Sequence, residues 1–233
     1  MTVSKISIII PCYNEENTVD KLIHMVLLSN IGKIKKEIIV INDGSTDNTR
    51  QKLIKFVKYK NIKIINKKKN EGKGAAIKSG LSKASGDIVI IQDADLEYNP
   101  SEYNLLINPI IKNKADVVFG SRFIGGKEHR VLLFWHMLGN KILTLISNMV
   151  TNLNLTDMET CYKVFTKNVA NQLHLKEERF GFEPEFTTKV AKMDVKIFEV
   201  GISYSGRGYS EGKKINWKDG LYALWCLFKY KFL

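Results

Sequence analysis

Asp93 and Asp95 are separated by a single alanine and follow the apolar run Ile88-Val-Ile-Ile91 with only Gln92 between. If that run is a buried strand, both carboxylates project into one crevice at its end. Their mutual repulsion then calls for a compensating cation. Carboxylate oxygens suit Mg2+ or Mn2+, and Mg2+ typically takes one or two protein carboxylates together with phosphate oxygens. A divalent ion so placed would act as a Lewis acid on a departing diphosphate. Asp-x-Asp also occurs in loops and helix N-caps, so the neighbouring segments carry the decision.

Two further polar segments follow apolar runs. In Ile41-Asn-Asp-Gly-Ser-Thr-Asp47, Gly44 permits a tight turn, Thr46 or Asp47 could cap the next helix, and Asp43 could accept hydrogen bonds from a nucleobase or ribose. Asn70-Glu-Gly-Lys-Gly-Ala-Ala76 is glycine-rich and precedes a helical stretch. It is not a P-loop, because Lys73 is followed by glycine and the glycine spacing is wrong, and no GxGxxG is present. An ATPase or a dehydrogenase is therefore disfavoured.

These loops need a scaffold, and the first 120 residues supply one. Short β-branched runs at 6–10, 37–41, 62–65, 87–91 and 116–119 predict strands. Amphipathic stretches at 17–29, 46–59, 74–84 and 100–112 predict helices. Continuous apolar runs such as Ile38-Ile-Val-Ile41 suit strands covered on both faces, hence a mostly parallel α/β sheet. In such sheets functional loops lie at the carboxyl ends of strands, and each unusual polar segment falls there.

After residue 125 the pattern changes. Residues 131–150 are strongly apolar but interrupted by His136, Asn140, Lys141 and Asn148, which predicts a buried or interfacial helix rather than a membrane span. The final segment, 217–233, places Leu221, Leu224, Trp225, Phe228 and Phe232 at helical spacing, with Lys218, Lys229 and Lys231 at the flanks. It reads as an interfacial anchor, or as a helix capping the core or meeting a partner.

A chain of 233 residues suits one domain. The expected division is a catalytic domain over 1–212 and an amphipathic C-terminal helix over 213–233. Cys12, Cys161 and Cys226 are odd in number and widely spaced, which indicates neither a disulfide framework nor a zinc site and suits a reducing compartment. The apolar run near the N-terminus is too short for a signal peptide. The net charge of +12 suits polyanionic partners: nucleic acid, anionic lipid or phosphorylated substrates. No RNP motif or zinc finger supports nucleic acid.

Five segments in order resemble glycosyltransferase family 2, and within it the dolichol-phosphate mannosyltransferases and related polyprenyl-phosphate glycosyltransferases. They are Ser7-Ile-Ile-Ile-Pro-Cys-Tyr-Asn-Glu-Glu16, Glu37-Ile-Ile-Val-Ile-Asn-Asp-Gly-Ser-Thr-Asp47, Gly72-Lys-Gly-Ala-Ala76, Gln92-Asp-Ala-Asp-Leu-Glu97 and Gly120-Ser-Arg122. Weaker similarity runs through Thr156-Asp-Met-Glu-Thr-Cys-Tyr-Lys163. The resemblance implies a single GT-A domain with an apolar C-terminal helical appendage. It also implies a UDP- or GDP-linked sugar donor and inversion at the anomeric carbon by one displacement. Pro11, Tyr13, Glu15, Ile41, Asp43 and Lys73 would line the donor pocket. Asp93, the Ala94 backbone and Asp95 would hold the sugar nucleotide and Mg2+ or Mn2+. Glu97, where mannosyltransferases often carry Gln, would be a further metal ligand. Arg122 and Arg207 would face the acceptor or the diphosphate, to which the planar guanidinium is suited.

The acceptor stays open at this level. A lipid phosphate is already anionic and needs no base, whereas a hydroxyl needs a carboxylate within hydrogen-bond reach. Asp157, ahead of Glu159, is the candidate base. Glu183 and Glu185 read as structural or acceptor-side groups. The expected setting is the cytoplasmic face of an anionic membrane, reached peripherally. The competing readings are transfer to a glycan hydroxyl and a non-catalytic nucleotide-sugar or nucleic-acid binding module.

Overall fold

A computed structural model describes residues 3–125, 127–131, 133–208 and 217–233, with the Trp217 side chain left out. The expected domain boundary at 212/213 lies outside the described residues.

Seven strands form one sheet: β1 (Lys5–Cys12), β2 (Lys35–Asn42), β3 (Ile62–Asn66), β4 (Ile88–Ile91), β5 (Val117–Ser121), β6 (Lys163–Thr166) and β7 (Ile197–Gly201). Their order is β3-β2-β1-β4-β6-β5-β7. All neighbours are parallel except β6, which runs antiparallel to both β4 and β5. The chain winds outward from β1 through β2 to β3, then returns to place β4 on the other side of β1. That reversal opens a crevice beyond the carboxyl ends of β1 and β4, where such sheets bind ligands.

Eight α-helices are present among the described residues: α1 (Val19–Leu28), α2 (Thr49–Ile54), α3 (Lys73–Leu81), α4 (Tyr103–Ile111), α5 (Phe134–Thr151), α6 (Lys167–Gln172), α7 (Phe182–Ala191) and α8 (Trp217–Phe232). The five strands expected in the first half are all there, within two residues at each end. Their Ile and Val side chains on β1, β2 and β4 are almost wholly buried on both faces, as a parallel sheet between helices requires. The one buried acid within these strands, Glu37, is satisfied by Ser7, Ser85 and Lys63. The carboxyl end of α1 is closed by Lys36, whose ammonium donates to the carbonyls of Val26, Leu27 and Ser29 at 2.6–2.9 Å. A cation there meets both the unpaired carbonyls and the negative end of the helix dipole.

Two helices differ from expectation. The helix expected over 46–59 is α-helical only through Ile54 and continues in tighter turns, Phe56 to Leu53 and Tyr59 to Phe56. The tightening carries Phe56 fully inside, where its ring meets His24 of α1 edge-on. The stretch 100–112 opens with a 3-10 turn at Pro100–Glu102 before α4.

β6 and β7 were not anticipated. β6 is only four residues long and follows a polar loop, and β7 is a partly exposed edge strand with no apolar run. The 131–150 stretch forms α5, and α8 packs against both α5 and α7, so the C-terminal helix is seated on the body of the domain. Ala223, Cys226, Leu227 and Tyr230 supply its buried face.

Candidate active site

The site is assembled from loops at the carboxyl ends of β1, β2 and β4, and two of them are clasped together directly. Asn14, just past β1 with φ +53°, accepts from the Thr46 amide through its side chain, while its own amide donates to Ser45 Oγ. Asp47 accepts from the amides of both Glu16 and Thr49, so it ties the β1 loop to the start of α2. The N-cap position itself is Asn48, which makes no side-chain cap, in place of the Thr46 or Asp47 expected there.

Beneath these loops Pro11 and Ile41 stand in register on β1 and β2, and both are buried. Ile41 packs toward Gly80 of α3. Its side chain is fully buried and offers no surface to a nucleobase, which differs from the contact role expected of it. Tyr13 and Glu15 follow in the β1 loop, Tyr13 half-buried and Glu15 buried.

Asp43 also differs from expectation. Its carboxylate accepts from the amides of Gly72 (2.7 Å) and Glu71 (3.1 Å) and lies 3.3 Å from the Lys67 ammonium. Only 2% of the residue is exposed. Instead of presenting free lone pairs to a ribose, it pins the glycine-rich loop against the end of β2. Gly44 makes this approach feasible: its φ is +68°, and an added Cβ would sit 2.3 Å from the Lys69 carbonyl carbon.

The pinned loop opens α3, and Lys73 in its first turn reaches across to the β4 loop. Its ammonium lies 2.9 Å from Asp93 and 2.9 Å from Glu183 at the start of α7. Burial alone would lower the Lys73 pKa, but the Asp93 and Glu183 carboxylates outweigh it and raise the pKa well above the usual lysine value.

Asp95 and Glu97 meet Arg207 from the opposite end of the chain. Arg207 Nη2 is 3.0 Å from Asp95, its Nε 3.4 Å and backbone amide 2.8 Å from Glu97, and its Nη1 3.6 Å from Glu15. Glu97 also accepts from the Tyr204 hydroxyl at 2.8 Å. Burial, followed by the charges of Asp93 and Glu97, pushes Asp95 up to about 7 against the pull of Arg207.

The three acids expected as one metal-ligand set are thus close enough to repel one another but do not share a focus. Among the described residues no three His, Cys, Asp or Glu groups converge as a metal site. Glu97 in particular is turned to Tyr204 and Arg207, because like charges this close each settle on a separate basic or hydroxyl partner. The donor set still fits a hard cation: partly exposed carboxylate oxygens on Asp93 and Asp95, close enough to repel one another, at the carboxyl end of β4. Mg2+ is ordinarily held by one or two carboxylates plus phosphate in this manner.

A second cluster is built around Arg122 at the end of β5. Its Nε and Nη2 each lie 2.7 Å from Asp157, and its backbone amide donates to the same carboxylate at 3.0 Å. The guanidinium also faces the Tyr204 ring, 5.1 Å from its centre. Glu199 of β7 holds the amides of Thr156 and Asp157 at 2.9–3.0 Å. Asp157 is fully buried with both oxygens occupied. The residue expected as a base is thus committed through both oxygens to Arg122 and has no solvent-facing surface.

Glu159 is in the contrasting condition. Its Oε1 is inaccessible and has no hydrogen-bond partner, and burial together with the Glu183 charge pushes its carboxyl up to about 7. Nearby Lys163 is fully buried on the carbonyls of Met158 and Thr160, and burial lowers its pKa against the pull of Glu183 and Glu159. Tyr98, Glu199 and Tyr204 escaped the sequence reading. No local pattern distinguishes them, and they matter only through partners 42 to 107 positions away. A cleft of about 410 Å3 beside Glu97 is lined by Leu96, Asn99, Arg130 and Tyr204, but neither Asp93 nor Asp95 borders it.

Comparison with known proteins agrees with this construction. The family model described as glycosyl transferase family 2 matches residues 7–173. A dolichyl-phosphate beta-glucosyltransferase of Trichomonas vaginalis is 31% identical over 86% of this chain and 65% of its own length. A dolichol-phosphate mannosyltransferase of Pyrococcus furiosus is 28% identical over 91% and 60%. A dodecaprenyl-phosphate galacturonate synthase of Rhizobium johnstonii is 24% identical over 90% and 61%. The chain therefore spans 60–65% of the length of these relatives. In three dimensions it matches glucosyl-3-phosphoglycerate synthase of Mycobacterium tuberculosis, crystallised with Mn2+, UDP and glucosyl-3-phosphoglycerate. The TM-score is 0.75 at 19% identity, over 99% of this chain and 81% of that one. That likeness establishes the GT-A fold. Since the family model spans well over half of the chain, and its segments are the loops that converge on Asp93 and Asp95, this protein belongs to glycosyl transferase family 2.

Proposed function

We propose that this protein is an inverting glycosyltransferase moving a hexose from a UDP- or GDP-linked donor to a polyprenyl phosphate at the cytoplasmic surface of a membrane. The observation that carries the reading is the acidic crevice at the switch between β1 and β4, faced by Lys73 and Arg207. Asp93 and Asp95 would hold Mg2+ or Mn2+, which supplies charge neutralisation for the departing nucleoside diphosphate. Lys73 and Arg207 bring fixed positive charge to the same crevice, and Asp43 holds the glycine-rich loop in place to receive the donor. The names of the relatives support a lipid-phosphate acceptor.

The state of Asp157 supports the same acceptor. A phosphate oxygen is already a nucleophile at neutral pH, so no proton need be removed. A carboxylate locked to Arg122 is then a positioning group that keeps the guanidinium in one orientation. Transfer to a hydroxyl is the second reading, favoured by Glu159, a partly exposed residue whose carboxyl is not committed to an arginine as that of Asp157 is. In that case Glu159, not Asp157, takes the proton.

Membrane contact rests on α5 and α8. Among the described residues no helix is long and apolar enough to cross a bilayer. Yet Trp135, Leu145 and Met149 of α5 and Trp225, Phe228 and Phe232 of α8 are half-exposed or more, on two helices that pack together. Lys141, Lys229 and Lys231 lie on the same helices, and the chain carries +12 overall, which suits an anionic lipid surface.

The test is direct: incubate the purified protein with Mn2+, labelled UDP- and GDP-hexoses and a polyprenyl phosphate in anionic vesicles. Label passing to the lipid fraction is expected. Transfer only to glycan hydroxyls, or none with any donor, would overturn the reading.

A further inference from the structure

Glu177 lies in the loop between α6 and α7, outside the five family segments, and it is 6% exposed. Among the described residues, every hydrogen-bond partner of its side chain comes from α8. The Tyr222 and Tyr230 hydroxyls donate to it at 2.5 and 2.6 Å, and the Lys229 ammonium at 2.9 Å. Burial opposes its ionisation, but these three donors outweigh burial and hold the carboxyl below its ordinary range. Gly181, at the start of α7, packs into the same junction: an added Cβ would lie 2.9 Å from both Cys226 of α8 and the Glu177 side chain.

The backbone of the same loop carries the donor-side helix. The Ala75 amide donates to the Glu178 carbonyl at 3.0 Å, and the Lys78 ammonium to the Lys176 carbonyl at 3.0 Å. Gly72 and Gly74 lie so close that a Cβ on either would meet the Glu178 or Glu177 carbonyl at 2.4 Å. Lys73, which reaches Asp93 and Glu183, sits between those two glycines. On the other side of the loop, Glu185 accepts from the amides of Lys176 and Glu177 at 2.7 and 2.8 Å. The loop therefore has few ways to move without moving Lys73.

The outer face of α8 is apolar, and two of the three groups that hold Glu177 border that face: Tyr222 is 42% exposed, and Lys229 is 27% exposed in its side chain. Lys229 also lies 4.3 Å from the centre of the half-exposed Trp225 ring. Any surface that takes up Trp225 and Phe228 also changes the surroundings of these two groups.

We propose that Glu177 is a positioning residue that couples seating of α8 on a lipid surface to the setting of Lys73, and hence to donor affinity. This rests on the membrane and donor readings given above. Coupling between two sites is reciprocal in binding free energy. If vesicles tighten nucleotide binding by some factor, nucleotide must tighten vesicle binding by the same factor.

The experiment measures UDP and GDP affinity in the presence of Mn2+ by titration calorimetry, with and without phosphatidylcholine–phosphatidylglycerol vesicles. Vesicle co-sedimentation is read in the same samples with and without nucleotide. The wild-type protein should bind nucleotide about fivefold or more tightly on vesicles, with a matching gain in co-sedimentation. In Glu177→Gln that ratio should fall to near one while co-sedimentation without nucleotide persists. Should this variant fail to fold, Tyr222→Phe, which keeps Lys229 and Tyr230 on the carboxylate, should reduce the ratio in the same direction. A purely structural role would weaken nucleotide binding equally with and without vesicles, leaving the ratio intact, and would overturn the proposal. Unchanged nucleotide affinity in wild-type protein that does co-sediment overturns it as well. Failure to co-sediment, or to bind either nucleotide, removes the membrane or the donor reading, and this proposal with it.

Discussion

Arg122 and Asp157 form a two-pronged ion pair, Nε to Oδ2 and Nη2 to Oδ1, each at 2.7 Å, inside the protein. Breaking such a pair strands a buried charge, which costs about 3–5 kcal/mol. Asp157→Asn should therefore lower the urea midpoint strongly, and Arg122→Lys should do so too because lysine cannot make both contacts. Wild-type stability with abolished turnover in Asp157→Asn would instead restore that residue as a base.

Asp93 and Asp95 are expected to carry metal-dependent donor binding. With Mn2+ and a cognate sugar nucleotide at 100 times its dissociation constant, stabilisation should be about 2.7 kcal/mol. That corresponds to a rise in Tm of roughly 5–10 °C for a chain of this size. Chelation with EDTA, or Asp93→Asn or Asp95→Asn, should erase the rise in a thermal-shift assay. A full rise in EDTA would exclude the metal.

Glu159 separates the two acceptor readings. A lipid-phosphate acceptor predicts that Glu159→Gln retains turnover within about tenfold, since no proton is removed in the reaction. A hydroxyl acceptor predicts a loss of about 100-fold or more, measured as kcat, with KM for the donor little changed.

Glu37 gives an acid sensitivity of known sign. Burial works against its ionisation, yet Lys63, Ser7 and Ser85 outweigh it and lower its pKa to about 2. A carboxyl depressed in the folded state stabilises above its unfolded pKa of about 4.5, and that stability is lost as pH falls from there toward 2. After allowance for partial solvent screening, the contribution is on the order of 1–2 kcal/mol. Glu37→Gln should be less stable at pH 7, and its Tm should fall less steeply between pH 4.5 and 2.5.

Trp225 and Phe228 on α8 are half-exposed, so replacing both by serine should leave Tm nearly unchanged. Flotation with anionic vesicles should fall by about tenfold or more, because each large apolar side chain contributes about 1.5–3 kcal/mol on burial. Undiminished flotation would place the membrane contact elsewhere.

Much of the scaffold was legible along the chain because its signals are local. The runs Ile8-Ile-Ile10, Ile38-Ile-Val-Ile41 and Ile88-Val-Ile-Ile91 are short and β-branched, as strands buried on both faces are, and the polar loops after them mark the carboxyl edge of the sheet. Asp93 and Asp95 were legible for the same reason, since two acids directly after such a run are conspicuous. β6 and β7 were not, because a four-residue strand and an exposed edge owe their pairing to neighbours rather than to their own composition.

What each acid does was decided only in three dimensions. Asp157 and Glu159 are carboxylates two positions apart, yet one is paired through both oxygens with Arg122 from 35 residues upstream and the other keeps an oxygen with no hydrogen-bond partner. Arg207 meets Asp95 across 112 positions, and Asp43 closes on a glycine-rich loop 29 positions on. Hydrogen bonds and charge–charge interactions depend on separation in space, which the fold sets. The sequence alone therefore determined that two carboxylates stand at the end of β4. The tertiary structure decided which cations face them, and which of the other acids remain free to act.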